Sequence, residues 1–375
     1  MSVQTALDNI ALRRPGRWAH TEYSLEYHKS YLASRTGRDV ETADRQTAGP
    51  GSADLENAEP KSGEPSALAG DRLRRAAYDR FGFDLLWSTD DGLITWSEAG
   101  RTTDMGHAAY AHDGSDQREP LRSPFDNAEE VWAFDAVREY GLPDFAEQVR
   151  AYEDSIRRSR ERFPNQLTTG GYYKTIVSGA IEAFGWEMLL LAAAEPAKLE
   201  RVLDGFFRRT LFHMEAWAET TVEAVIQHDD FVWAGGPFMH PDIYRKVIIP
   251  RYAELWKPVH RAGKKVLFCS DGDFTEFAAD IAEAGADGLI FEPCMDFGFM
   301  VERLGGTQCL VGSFVDCRDL TFGSWEAVRR EMDATFERLE GCRGAILAVG
   351  NHLPPNIPEG MLDRYFGYLM AKLQP

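Results

Sequence analysis

The sequence predicts a single-domain (β/α)₈ barrel, in the α/β class. Three observations predict it. The C-terminal half alternates short, continuously apolar runs with amphipathic stretches, which describes a parallel sheet covered by helices. Weaker runs of the same kind precede them, and together they make eight, the number that closes such a barrel. The 375 residues are 44% hydrophobic, enough for one large core. An open doubly wound sheet is the alternative, but no glycine-rich phosphate turn follows the first apolar run.

The expected strands, in order, are 17–23, 83–88, 166–170, 224–231, 265–272, 288–293, 309–315 and 344–350. The last four (KVLFCSDG, GLIFEP, CLVGSFV and GAILAVG) are the clearest. Helical spacing follows each of them, over 275–284, 299–304, 325–339 and 360–373, and Phe277, Ile281 and Ala284 mark one face of the first. Longer helices over 196–219 and 241–261 fit an outer ring. Residues 36–70 are rich in Gly, Pro, Ser, Ala and acids, with almost no large apolar side chains, so ordering them is not repaid by burial. Residues 44–66 are therefore expected to be a mobile surface loop inserted into one domain spanning 1–375.

Lys and Arg number 41 against 60 Asp and Glu, a net charge of −19. Such a surface repels phosphate backbones and anionic lipid, which argues against nucleic acid and membranes as partners. No run approaches the roughly 18 apolar residues of a membrane-spanning helix, and the N-terminal stretch has no signal-peptide pattern. Cysteines stand at 269, 294, 309, 317 and 342, an odd count without paired zinc spacing. Reduced thiols and a cytoplasmic location are expected.

In a barrel of this kind the site lies where strands stop and loops begin. The polar residues at those points are His20, Glu22 and Tyr23 after the first strand, and Asp90 and Asp91 after the second. His228, Asp229 and Asp230 follow the fourth, and Cys269, Ser270 and Asp271 the fifth. Glu292, Asp316, and Asn351 with His352 end the last three. The mouth is thus rich in carboxylates, with one thiol and few basic groups. Paired aspartates also serve as helix caps, and a free cysteine is commonly a small core residue. Glu292, directly after Leu-Ile-Phe, has no such ordinary explanation. Trp233 and Phe238 stand near a strand end, whereas most other aromatics of that region suit the core.

The segment GGPFMHPDIYRKVIIPRYAELWKPVHRAGKKVLFCSDGD resembles the uroporphyrinogen decarboxylase superfamily, and so do the later runs ADGLIFEPCMD, LVGSFVDCRDL, GSWEAVRREM and GAILAVGNHLPPNIP. The resemblance is firm over about 224–373, looser through 75–223, and rests on HTEYSLEYH in 1–35. It implies a (β/α)₈ barrel and an enzyme. True decarboxylases of the superfamily carry an arginine pair after the first strand, an Asp after the second, and then a Tyr, a Ser and a final His. Here WAHTEYSLEYH has no arginine, the Tyr and Ser positions fall near Gly179 and Ala234, and the His stands one place late as His352. Asp90 or Asp91 answers to the Asp. A substrate with many carboxylates needs cationic forks, so porphyrin itself is disfavoured.

The superfamily's cobamide-dependent methyltransferases hold zinc with an H-x-C pair and a late Cys. Those positions read Cys269-Ser270-Asp271 and Asn351, the latter followed by His352. The resemblance therefore implies a divergent member. The leading expectation is methyl or one-carbon transfer, with zinc held by Cys269, Glu292 and His352 and Asp271 as a catalytic carboxylate beside it. A cobamide would arrive on a partner corrinoid protein, because the chain has no D-x-H-x-x-G motif. Glu22, Tyr23, Asp230, Trp233, Phe238 and Asn351 are expected to contact a small-molecule substrate. The alternatives are metal-free decarboxylation, with Asp90 or Asp91 stabilising a cationic intermediate and His352 supplying the proton, and a non-catalytic metabolite-binding barrel. A homodimer is left open.

Overall fold

The computed structural model describes residues 2–13, 16–37, 65–88, 99–103, 122–350 and 352–374, with side chains in the 65–80 helix from residue 70 onward. Parallel pairing runs through a seven-stranded sheet in the order β1 (Ala19–His20), β9 (Ala345–Leu347), β8 (Cys309–Gly312), β7 (Gly288–Phe291), β6 (Lys265–Cys269), β5 (Ala224–His228) and β4 (Gly170–Tyr172). A second sheet pairs β2 (Leu85–Leu86) with β3 (Leu167–Thr168). Two joints close the ring. Only Thr169 separates β3 from β4, so the expected strand over 166–170 is one stave with a break. Its first half pairs with β2 and its second half with β5. At the other joint the Asp84 amide donates to the His20 carbonyl at 2.8 Å. The eight expected strands are thus the eight staves of a closed barrel, although the first two are much shorter than the runs that marked them and the third extends two residues beyond its run.

Asp84 binds this second joint further. Its carbonyl accepts from the Leu167 amide of β3 at 2.8 Å, so its backbone links β1 to β3 while β2 begins. Its wholly buried carboxylate accepts two bonds from Arg17, at 2.6 and 2.7 Å, one from Ser2 at 2.5 Å and one from the His20 amide at 3.0 Å. Ala19, Leu85, Leu167, Ala224, Ile226, Leu267, Cys269, Ile290, Cys309, Val311 and Ile346 fill the interior. A helix over Ser2–Ile10, not expected from the sequence, caps its base with Ala6 and Ile10. Asn9 of that helix accepts from the Ala345 amide at 3.0 Å. Gly344 permits the approach, because a Cβ there would overlap the Asn9 carbonyl.

The outer helices largely follow the expected spans, including Pro196–Ala218, Trp325–Leu339 and Glu359–Leu373. The stretch over 241–261 differs: Pro241–Ile243 and Ile249–Arg261 are α-helical, and a π turn over Tyr244–Ile248 joins them. Pro250 has no N–H to give the carbonyl four residues back, and Ile249 bonds instead to Tyr244, five residues back. The expected loop over 44–66 lies outside the described residues up to 64; a helix over Pro65–Arg80 takes in its last two. No described helix is long and apolar enough to cross a membrane.

Removing the Asp84 carboxylate would leave Arg17 and the strand junction without their acceptor. Asp84→Ala is expected to cost about 3 kcal/mol, toward the lower end for a broken buried pair because Arg17 is partly exposed. Urea unfolding at neutral pH measures this; a loss below about 1 kcal/mol would show that the joint does not depend on it.

Candidate functional site

Alternation along each strand decides which polar residues face the mouth. Ala224 and Ile226 point into the barrel, and the same parity carries on to His228 and Asp230. Leu267 and Cys269 carry on to Asp271, and Ile290 to Glu292. The opposite parity sends side chains to the helix layer. Asp229 is wholly buried there and accepts from the amides of Ile176, Val177 and Ser178, the Ser178 hydroxyl and Tyr252. It thereby caps the helix Val177–Phe184. Burial pushes its carboxyl up in spite of these donors. Glu22 likewise turns away from the interior: it accepts from Tyr365 at 2.5 Å and from the Val349 amide at 2.9 Å, and lies 3.1 Å from His20 Nε2. Its oxygens are engaged in tying β1 to β9 and the last helix.

The segment after β4 clamps the end of β5. Tyr173 donates to Asp230 Oδ2 at 2.9 Å, and its ring stacks on His228 with centroids 4.2 Å apart. The Thr175 hydroxyl donates to the His228 carbonyl at 3.2 Å and accepts from Gln227 Nε2 at 3.0 Å. Between them Lys174 takes a left-handed φ of 56° and pairs with Glu182 at 3.2 Å. Ser24, with φ 63°, and Ser313, with φ 53°, follow β1 and β8 in the same way. Of four described non-glycine residues with positive φ, three thus stand just beyond strand ends at this mouth. Strained backbone of this sort gathers at functional sites.

Among the described residues, His228, Asp230 and Asp271 form the group that offers one ligand atom each with all three within 4.8 Å of one another. His228 Nε2 lies 2.9 Å from Asp230 Oδ1, and the Asp271 amide donates to the same oxygen at 2.9 Å. Burial alone would push the Asp230 carboxyl up, but His228 and the donors around it bring it well below the ordinary 3.8. His228 Nδ1 is buried and has no hydrogen-bond partner among the described residues.

The ligands expected from the sequence, Cys269, Glu292 and His352, do not make such a group among the described residues. Cys269 packs with the interior aliphatics at 2% exposure, and burial, followed by Asp271, Asp230 and Glu292, pushes its thiol far up. A protonated thiol in apolar contact is the ordinary fate of a core cysteine. Glu292 Oε2 accepts from the Gly272 amide at 2.7 Å, and His352 is half-buried in the loop after β9. Tyr23 is half-buried, 5.6 Å from Trp87 between ring centroids. Trp233, 48% exposed, packs with Phe238 and Trp186 at the rim. Asp90, Asp91 and Asn351 lie outside the described residues. The sequence did carry a signal for His228 beside Asp230, because two residues apart on a strand share a face. For Tyr173 it carried none.

A closed barrel whose strand ends converge on an acidic, histidine-bearing mouth defines an enzyme-type (β/α)₈ scaffold. The uroporphyrinogen decarboxylase (URO-D) family matches residues 73–368, and the chain belongs to that family. Among solved structures it is similar to a methyltransferase from Methanosarcina mazei, at 14% identity and a TM-score of 0.61, over 98% of this chain and 99% of that one. A D-psicose 3-epimerase from Clostridium cellulolyticum H10 aligns over 66% of this chain and 86% of its own, at 10% identity and a TM-score of 0.36. No curated protein matches the sequence.

Because Asp230 is held below its ordinary value, its charge stabilises the fold fully above about pH 4, and that contribution is lost as pH falls further. The stability difference between wild type and Asp230→Asn, measured by urea unfolding from pH 7 to 3, is expected to shrink below about pH 4. A constant difference would mean that the charge is not engaged in the folded state.

Proposed function

We propose that this URO-D family enzyme transfers a methyl or other one-carbon group, with a divalent metal held by His228, Asp230 and Asp271. The observation that carries the reading is the convergence of those three side chains at the mouth. An imidazole with two carboxylates suits zinc or a similar first-row ion, and His228 Nδ1 has no partner among the described residues. When bound, the ion would supply Lewis acidity to an acceptor thiol or oxygen. The chain's own part is positional. Asp230 brings a permanent charge, Tyr173 and the Asp271 amide orient it, and Trp233 with Trp186 and Phe238 offers apolar contact to the non-reacting part of a small substrate. The methyl donor in this reading is a cobamide on a separate corrinoid protein, as in the related methyltransferases.

A second reading is metal-free decarboxylation of a small acid. It is favoured by the His228–Asp230 pair, which is already hydrogen-bonded at 2.9 Å and is suited to proton transfer.

Metal analysis of full-length protein purified without chelators separates the two. A stoichiometric divalent ion is expected, with His228→Ala, Asp230→Asn and Asp271→Asn each lowering affinity by about tenfold or more, and Cys269→Ala and His352→Ala leaving it near wild type. Loss of metal in Cys269→Ala, Glu292→Gln and His352→Ala, with retention in His228→Ala, would transfer the ligand role to those three. Active protein without metal would favour decarboxylation.

A further inference from the structure

One side chain touches both strand-end residues of β5 that face the mouth. Tyr173 donates its phenol proton to Asp230 Oδ2 at 2.9 Å, and its ring lies over the His228 imidazole at 4.2 Å and 27°. With Oδ2 engaged in this way, Oδ1 is the Asp230 oxygen turned to the imidazole, 2.9 Å from Nε2. The ring contact restricts rotation of the imidazole plane.

Tyr173 is itself held from both sides. On its N-terminal side, Tyr172 pairs in register with Gln227 of β5. On its C-terminal side, the left-handed turn at Lys174 lets Thr175 close onto Gln227 and the His228 carbonyl. A residue here is therefore fixed by the same strand whose side chains it orients.

We infer that Tyr173 is the positioning residue of the His228–Asp230–Asp271 site, fixing the imidazole plane and presenting Asp230 Oδ1 toward the shared ligand position. This rests on the metal reading proposed above. Groups that hold a ligand in orientation contribute to metal affinity without touching the ion.

The test uses full-length protein stripped by chelator and titrated with Zn²⁺ against a competing chromogenic chelator, with Co²⁺ absorption as a report on coordination. Tyr173→Phe keeps the ring and removes the donor. It is expected to weaken Zn²⁺ binding about 10- to 100-fold and to change the Co²⁺ spectrum, and also to lower the melting temperature of the metal-free protein, because Asp230 loses a hydrogen bond. Tyr173→Leu, which also removes the stacking, is expected to bind more weakly still. Wild-type affinity and spectrum in Tyr173→Phe would overturn the inference, and weakened binding in His228→Ala and Asp271→Asn would then show the metal reading standing without it. Wild-type affinity in those two variants as well would overturn both. A fall in affinity with an unchanged Co²⁺ spectrum would assign Tyr173 to packing alone and also overturn the inference.

Discussion

The whole barrel depends on closing a sheet whose first strands are too short to hold one another. β1, β2 and β3 have two residues each, so ladder hydrogen bonds between them are few. Asp84 makes up the deficit by linking two strands at the start of a third: its amide bonds to β1, its carbonyl to β3, and its carboxylate to Arg17, Ser2 and the His20 amide, one residue before β2. A carboxylate buried at such a joint is acceptable only because every oxygen is matched by donors, one of them a bidentate guanidinium. The staves that carry the candidate site, β4 to β7, are consecutive neighbours of that ring, and Tyr173, His228, Asp230, Asp271 and Glu292 stand at or just beyond their ends.

Within the ring, the two-residue period of the strands divides consecutive polar residues between two purposes. Asp229 and Asp230 are adjacent and chemically identical, yet one caps a helix behind the sheet and the other meets His228 in front of it. Their charge behaviour separates accordingly. Burial raises the first, while the imidazole, an amide and a phenol draw the second down. Glu22 falls on the outward parity, which is why a residue read as part of the mouth anchors the last helix instead.

The strands were legible because buried parallel strands must be continuously apolar, and every stave but the third, which runs on to Tyr172, sits within the run that marks it. The break at Thr169 was not, since it depends on the stave changing partner from β2 to β5, a matter of neighbours rather than of local sequence. The N-terminal helix was missed for a similar reason: its apolar positions have meaning only against the floor of the barrel. At the site, Asp230 and Asp271 were found as strand-end acids. Cys269, expected as a ligand, shares the inward parity of Leu267 and packs with the interior aliphatics. Tyr173 was beyond reach, because its partner Asp230 stands 57 positions away and only the folded β4–β5 pairing brings the two together.

The seating of the N-terminal helix has a consequence for how the molecule comes into being. Asn9 bonds to Ala345 across 336 positions, and the helix also meets β1, β2 and β3. The helix over Ser2–Ile10 is therefore made long before its seat, which stays incomplete until β9 has been added. Throughout synthesis Ala6 and Ile10 must wait with their apolar face uncovered. Final docking closes a loop comprising almost the entire chain, so this lid on the barrel floor records that every stave beneath it has already found its place.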